Sequence, residues 1–300
     1  MKKISLKKII IPAIISLIII VGIIITIILL NNKEESYRSI KVYKIDGVSE
    51  VYRGNSDTNI NPYVDMRLEN NDSVSTLDES YLYLQLDSDK YLLSEPNTKF
   101  DLVASGNEKN AKTRIKLVEG SITIHVTEKL TDLQEFFVEA GDTTMAIRGT
   151  SFRVSTIKEN GVYKTILEVF EGKIEVKYND EIVEVNEDST YIFEENNKEF
   201  YEAIDYYDLD VETLEFLNFG IDEGNDLSAS KEEIEEIIFN KMKTYNVKFI
   251  YNDQVFATLD NISYGSIINI PSLKPTINGH WDYDFNNPIK SDMEIIWINE

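Results

Sequence analysis

From Ile40 to about Phe200 the chain is written in short runs of period-two hydrophobicity, broken by turn residues at intervals of roughly ten. In Tyr81-Leu82-Tyr83-Leu84-Gln85-Leu86 the three leucines fall on one face, and Ile122, Ile124 and Val126, then Ile174 and Val176, repeat the pattern. Successive side chains of a strand point to opposite faces, so these runs are half-buried strands and not helices. The punctuation agrees: Asp87-Ser88-Asp89, Glu119-Gly120, Asn160-Gly161, Glu171-Gly172 and Asn179-Asp180 are turn formers. An all-β domain over 40–200 follows. The stretch Leu117–Ile124 is echoed by Val169–Val176, and more faintly by Ile45-Asp46-Gly47-Val48. Read as a strand, an acidic-glycine turn and a second strand, the echo predicts stacked β units rather than one simple sandwich.

The N-terminus carries a different pattern. Ile9 to Leu30 is 22 residues without a charge, preceded by Lys2, Lys3, Lys7 and Lys8. As a helix this run spans about 33 Å, against about 30 Å of bilayer hydrocarbon. Its length and the lack of a small-residue cleavage site predict an uncleaved transmembrane signal anchor over 9–30. The lysines place the tail, 1–8, in the cytoplasm. A stalk (31–39) and all later domains then lie outside the plasma membrane of a single-pass protein.

Beyond the β domain, residues 201–243 read as an acidic helical linker. Ser230-Lys231-Glu232-Glu233 is a capping box, opening a helix with the apolar stripe Ile234, Ile237, Ile238 and Met242. Residues 244–300 return to strand patterning: Val247, Phe249 and Tyr251 alternate up to an Asn252-Asp253 turn, and Ile295 with Trp297 closes the chain.

Composition removes several classes of chemistry. With 30 basic and 53 acidic residues the formal net charge is −23, which argues against a nucleic-acid partner. There is no cysteine, hence no disulfide, thiol nucleophile or zinc–thiolate site, and two histidines are too few for the usual multi-histidine metal centres. The acidic clusters at Asp205–Glu212 and Asp222–Asp226 lack the spacing of an EF-hand loop. His125 alternates with Ile122, Ile124 and Val126 and is expected at the surface; His280 belongs to the last module. No catalytic, metal or cofactor site is predicted, and the chain is expected not to be an enzyme. Tyr206, Tyr207 and Phe216 are candidate interface residues, since aromatic side chains dominate binding hot spots.

Two stretches resemble known families. Ala146-Ile147-Arg148-Gly149-Thr150-Ser151-Phe152-Arg153-Val154 resembles the "VRGT-x-F-x-V" signature of the FecR domain. Leu68–Thr76 resembles its "L-x-x-G-D-x-V-x-T", with Asn71 in place of the glycine. Glu95-Pro96-Asn97-Thr98 and Val118–Ile122 follow in the expected order. The resemblance covers about 40–200 and implies a solenoid-like, all-β extracytoplasmic module of bacterial membrane proteins. Its best-known members signal across the membrane to a sigma factor through a substantial cytosolic domain. Only Met1–Lys8 stands there in this chain, which argues against direct sigma-factor contact. Among the signature positions Arg148, Gly149, Thr150, Phe152, Gly120 and Gly172, a structural role is expected, with Arg148 half-buried and paired to an acid such as Glu119 or Glu171. Over about 245–300, Tyr264-Gly265, Gly279-x-Trp281, Phe285-Asn286-x-Pro288-Ile289 and Trp297 resemble the Listeria–Bacteroides, or internalin-type B, repeat. That resemblance implies a small β-grasp-like module on bacterial surface proteins. Together these features predict a mainly β, membrane-anchored, protein-binding receptor or scaffold, with an extracytoplasmic protein or surface polymer as partner. Cell-surface adhesion is the alternative, and an extracellular hydrolase using paired carboxylates a more remote one.

Overall fold

The computed structural model describes residues 38–54, 58–159, 161–194, 197–201, 203–271 and 275–300. Between Ile40 and Tyr201, sixteen strands form two sheets that share one long strand, Lys112–Val126. Its second half pairs antiparallel with Lys90–Ser94 and Ser151–Glu159 in the first sheet. That sheet continues through Tyr81–Leu86 to Ile40–Asp46 on one side, and through Val162–Glu171 and Ser189–Glu194 to Asn197–Tyr201 on the other. The first half of the shared strand pairs with Thr98–Ser105 and, in parallel, with Glu135–Ala140 in the second sheet. Asp72–Thr76, Ser49–Tyr52 and Asn59–Ile60 extend the second sheet one way; Thr143–Ala146, Lys173–Tyr178 and Glu181–Asn186 extend it the other.

One apolar core binds both layers. Leu82, Leu84, Ile122, Ile124 and Phe152 from the first sheet meet Val74, Phe100, Ile115, Val138, Ile174 and Val176 from the second. Leu82, Leu84, Ile122, Ile124, Ile174 and Val176 are inward positions that the alternation predicts.

The acidic-glycine echo has a different cause from the one expected. The strands flanking Gly47 and Gly172 do not pair with each other; each belongs to a different sheet. At Gly120 the shared strand itself changes sheet. The chain crosses back from Thr143–Ala146 to Ser151–Glu159 through Ile147-Arg148-Gly149-Thr150. Such corners let one strand serve two sheets. Gly120 shows the constraint: φ is +87°, and a Cβ there would lie 2.5 Å from Thr98 Cα and 2.7 Å from the Asn97 carbonyl oxygen. The expected solenoid is therefore replaced. Stacked coils need parallel ladders throughout, whereas the described strand pairs of this double sheet are antiparallel apart from Lys112–Leu117 with Glu135–Ala140.

Two helices follow, α1 (Val211–Asp222) and α2 (Lys231–Met242). Asp210 caps α1 by accepting from the Thr213 N–H at 2.6 Å, and Ser230 with Glu233 closes the capping box that opens α2. The pair is packed on the double sheet: Leu214 and Leu217 of α1 and Ile234 of α2 are fully buried in one cluster with Phe170. Met242, expected on the buried stripe, is 69% exposed. The last module is a four-stranded sheet in the order Gln254–Ser263, Thr244–Tyr251, Met293–Asn299, Gly279–Trp281, with its central pair parallel. Val247, Phe249, Trp281, Ile295 and Trp297 form its core.

The expectation of a membrane-spanning helix, and with it a plasma-membrane location, is not upheld. Among the described residues no helix is long and apolar enough to cross a membrane, and α1 and α2 have twelve residues each. The run 9–30 lies outside the described residues.

Replacing Gly120 by alanine combines a left-handed backbone with a collision against Thr98 and Asn97, at a cost above about 2 kcal/mol. The urea midpoint of G120A is expected to fall accordingly, whereas Gly161→Ala, where nothing lies within 4 Å of the added Cβ, should cost less.

Candidate functional site

The crossing Ile147–Thr150 is pinned by backbone hydrogen bonds on both flanks. The Leu130 N–H donates to the Arg148 carbonyl at 3.2 Å, and the Val126 N–H to that of Thr150 at 3.1 Å. Phe152 is fully buried in the core, and Thr150 is 1% exposed. Gly149, with φ at +121°, passes against Lys129, and Gly172 lies against the Gly149 carbonyl. The signature residues from Arg148 to Phe152 thus meet Gly172 at one corner; Gly120 marks another crossing.

Arg148 itself points away from this packing. It is exposed, and among the described residues its guanidinium has no hydrogen bond or ion pair, in contrast to the expected internal partner Glu119 or Glu171. It stands between two clefts. One, of about 230 Å³, is walled by Leu130, Gln134, Phe136 and Phe137. The other, of about 530 Å³, is lined by Lys129, Gly149, Glu171, Lys173 and Glu175. Glu171 is engaged instead by Asn225, whose Nδ2 donates to its carboxylate at 2.6 Å.

The internal clamp expected of Arg148 belongs to Arg153. Its Nε and Nη2 fork onto Glu95, each at 2.8 Å, and its Nη1 donates to Glu168 at 2.8 Å. Burial alone would weaken the guanidinium's hold on its proton, but the two carboxylates overcome it and raise the pKa. Burial pushes the Glu168 carboxyl up, against the pull of Arg153. Glu95 and Glu168 are therefore tied to one cation and are not a free acid–base pair.

His125 is fully buried, a correction to its expected surface place. Its Nε2 lies 2.9 Å from the Phe216 carbonyl oxygen of α1 and its Nδ1 2.6 Å from Ser151 Oγ. A carbonyl can only accept, so Nε2 carries the proton, Nδ1 accepts, and Ser151 donates. Gly220 closes over the ring: a Cβ there would stand 2.6 Å from both ring nitrogens. The Ser–His pair is sealed from solvent, and it serves to latch α1 to the sheet. Tyr81 and Tyr91 latch its ends, donating to Asp210 at 3.1 Å and Glu223 at 2.9 Å. Phe216 is accordingly interior, 5.9 Å from the Tyr83 ring. Tyr206 and Tyr207 lie elsewhere, in a cleft beside α2. His280 is exposed on Gly279–Trp281, close to Glu300 and in the other module. Among the described residues, no group of three or more metal-ligating side chains is placed to hold an ion.

Sequence reasoning missed the roles of His125, Ser151, Arg153, Glu95 and Glu168. The signal for His125, Ser151, Arg153 and Glu168 was parity, since the register sets Ser151 opposite His125 and Arg153 opposite both Thr123 and Glu168 on the outer face of the first sheet; Glu95, just past the end of Lys90–Ser94, carried none.

Residues 72–175 match the family model described as FecR protein, about a third of the chain, which bears out the FecR resemblance there. The match stops short of the last module and leaves its B-repeat resemblance unsupported. No curated protein matches the chain. Two crystal structures of a candidate anti-sigma factor from Parabacteroides distasonis are similar to it, at 14% and 13% identity, covering 76% of this chain and 99% and 98% of theirs. With a TM-score of 0.39 in each case, the likeness is too distant to transfer detail.

Two outcomes test this assignment of roles. Arg153→Ala leaves two buried carboxylates unpaired and should cost about 3–5 kcal/mol in urea unfolding, whereas Arg148→Ala should stay within about 0.5 kcal/mol of the parent. For His125, burial first, against the hydrogen bond to Phe216, lowers the pKa to about 4 from an ordinary 6.5. The unfolded chain then binds the proton more readily, so this contribution is complete above pH 6.5 and is lost as the pH falls towards 4. At about 1.4 kcal/mol per pKa unit the loss approaches 3 kcal/mol. A His125→Gln variant, which can keep both hydrogen bonds without titrating, should show a flatter stability profile between pH 6.5 and 4 than the parent.

Proposed function

We propose that this chain is a non-enzymatic signalling component that works by binding another protein, with the corner around Arg148 as its contact surface. The match of residues 72–175 to the FecR family carries the regulatory part of this reading. The free guanidinium carries the binding part. In a chain of net charge −23, whose buried arginines Arg38 and Arg153 are engaged by acids, an exposed and unpaired Arg148 is available to a partner. Its planar fork suits a carboxylate, received as a bidentate pair. The apolar wall of Leu130 and Phe137 on one side and Lys129 on the other extend the surface. A hydrolase has less support, because Glu95 and Glu168 share Arg153 and the Ser151–His125 pair is closed to solvent.

The test is site-directed photo-crosslinking in the native host. A crosslinking amino acid at position 129 should give a discrete protein adduct that Arg148→Glu abolishes without lowering the melting temperature; the same probe at position 199 should not. No adduct, or one indifferent to the charge reversal, would overturn the reading.

A further inference from the structure

A second recessed surface lies apart from Arg148. Tyr206, Tyr207, Ser228, Ala229 and Ile237 wall a cleft of about 370 Å³, with Asp188, Glu233 and Glu236 at its edge. It shares no lining residue with either cleft beside Arg148. Its walls are pre-organised. The Tyr206 hydroxyl is bonded to Ser228 Oγ at 2.9 Å, and its ring lies 5.8 Å from the buried Phe170. Tyr207 is 38% exposed and its ring is braced 5.8 Å from Tyr264. Glu233 accepts from the Ser230 N–H and hydroxyl, and those bonds hold its carboxyl below the usual range, so it is charged at neutral pH.

Among the described residues, no lysine or arginine lines the cleft. The nearest cation in sequence, Lys231, is turned to Asp222 at 2.6 Å. Three acids with no ion pair among the described residues, tyrosine rings, and the apolar Ala229 and Ile237 suit one kind of side chain. That side chain has an aliphatic stem and a cationic head. The neighbouring Tyr264 already carries this arrangement within the chain, with Lys241 and Lys290 each 5.9 Å from its ring centroid.

We propose that the Tyr206–Tyr207 cleft binds a lysine or arginine side chain presented by a partner protein. The stem would lie on Ile237, with the head between the ring of Tyr207 and the carboxylates of Glu233 and Glu236. The overall acidity draws such a partner in, and the cleft selects the residue that anchors it. This inference does not depend on Arg148 and survives if that corner binds nothing.

Blocked arginine amide, blocked lysine amide and blocked citrulline amide, the last a neutral analogue of arginine, would be titrated into the full chain and followed by NMR. The two cations should shift the signals of Tyr207 and Ile237 and leave Glu199 unmoved, and citrulline should not bind. Tyr207→Leu should weaken cation binding about two- to five-fold, with Tyr207→Phe close to the parent. Glu236→Gln should weaken it by a similar factor without changing the melting temperature, so a fault in folding would be recognised. Equal binding of citrulline, shifts spread evenly over the acidic surface, or indifference to both Tyr207→Leu and Glu236→Gln would overturn the proposal.

Discussion

A chain that builds both layers of one core must pass between them, and each passage needs a corner that is compatible with strand hydrogen bonding up to its last residue. Here the corners fall at Gly47, Gly120, Gly149 and Gly172, all in left-handed or related backbone. At Gly120 the backbone of Thr98 leaves no room for a side chain, and at Gly149 the chain brushes Lys129. Because Lys112–Val126 changes sheet in mid-course, both sheets are anchored to the same strand and cannot shift register independently. The core, the placement of Arg148 and the face that receives α1 all follow from that shared strand.

The outer face of the first sheet shows how polar side chains become interior. Thr123, His125, Ser151 and Arg153 project from neighbouring strands, and by alternation alone they would be wet. Helix α1 closes over His125 with Phe216 and Gly220, and the polar groups buried on this face must then find partners. Glu95 and Glu168 neutralise Arg153, and Ser151 with the Phe216 carbonyl satisfies both nitrogens of His125. Removing one member of such a network strands the others, which makes the helix and the sheet one structural unit.

Placement divides the basic side chains of the β domain into two groups. Arg153 works internally, while Arg148, five residues earlier in the same motif, faces outward because the corner turns it off the sheet. Among the acids, Glu95 and Glu168 are locked by Arg153, whereas Asp188, Glu233 and Glu236 line the Tyr206–Tyr207 cleft. A strongly acidic protein thus carries an exposed arginine at one corner and an acid-lined cleft at another place on its surface.

Local pattern was enough to locate the strands, the inward positions Leu82, Leu84, Ile122, Ile124, Ile174 and Val176, and the Ser230–Glu233 capping box, because each depends on spacings of a few residues. The FecR-like stretch was legible for the same reason, as a run of ordered short motifs. What the Glu-Gly echo meant was not legible, since a turn that joins paired strands and a corner that joins two sheets use the same residues. The burial of His125 and the exchange of roles between Arg148 and Arg153 were likewise decided only in three dimensions. Both depend on which element arrives from more than fifty residues away to cover a face, and no spacing within a strand encodes that arrival.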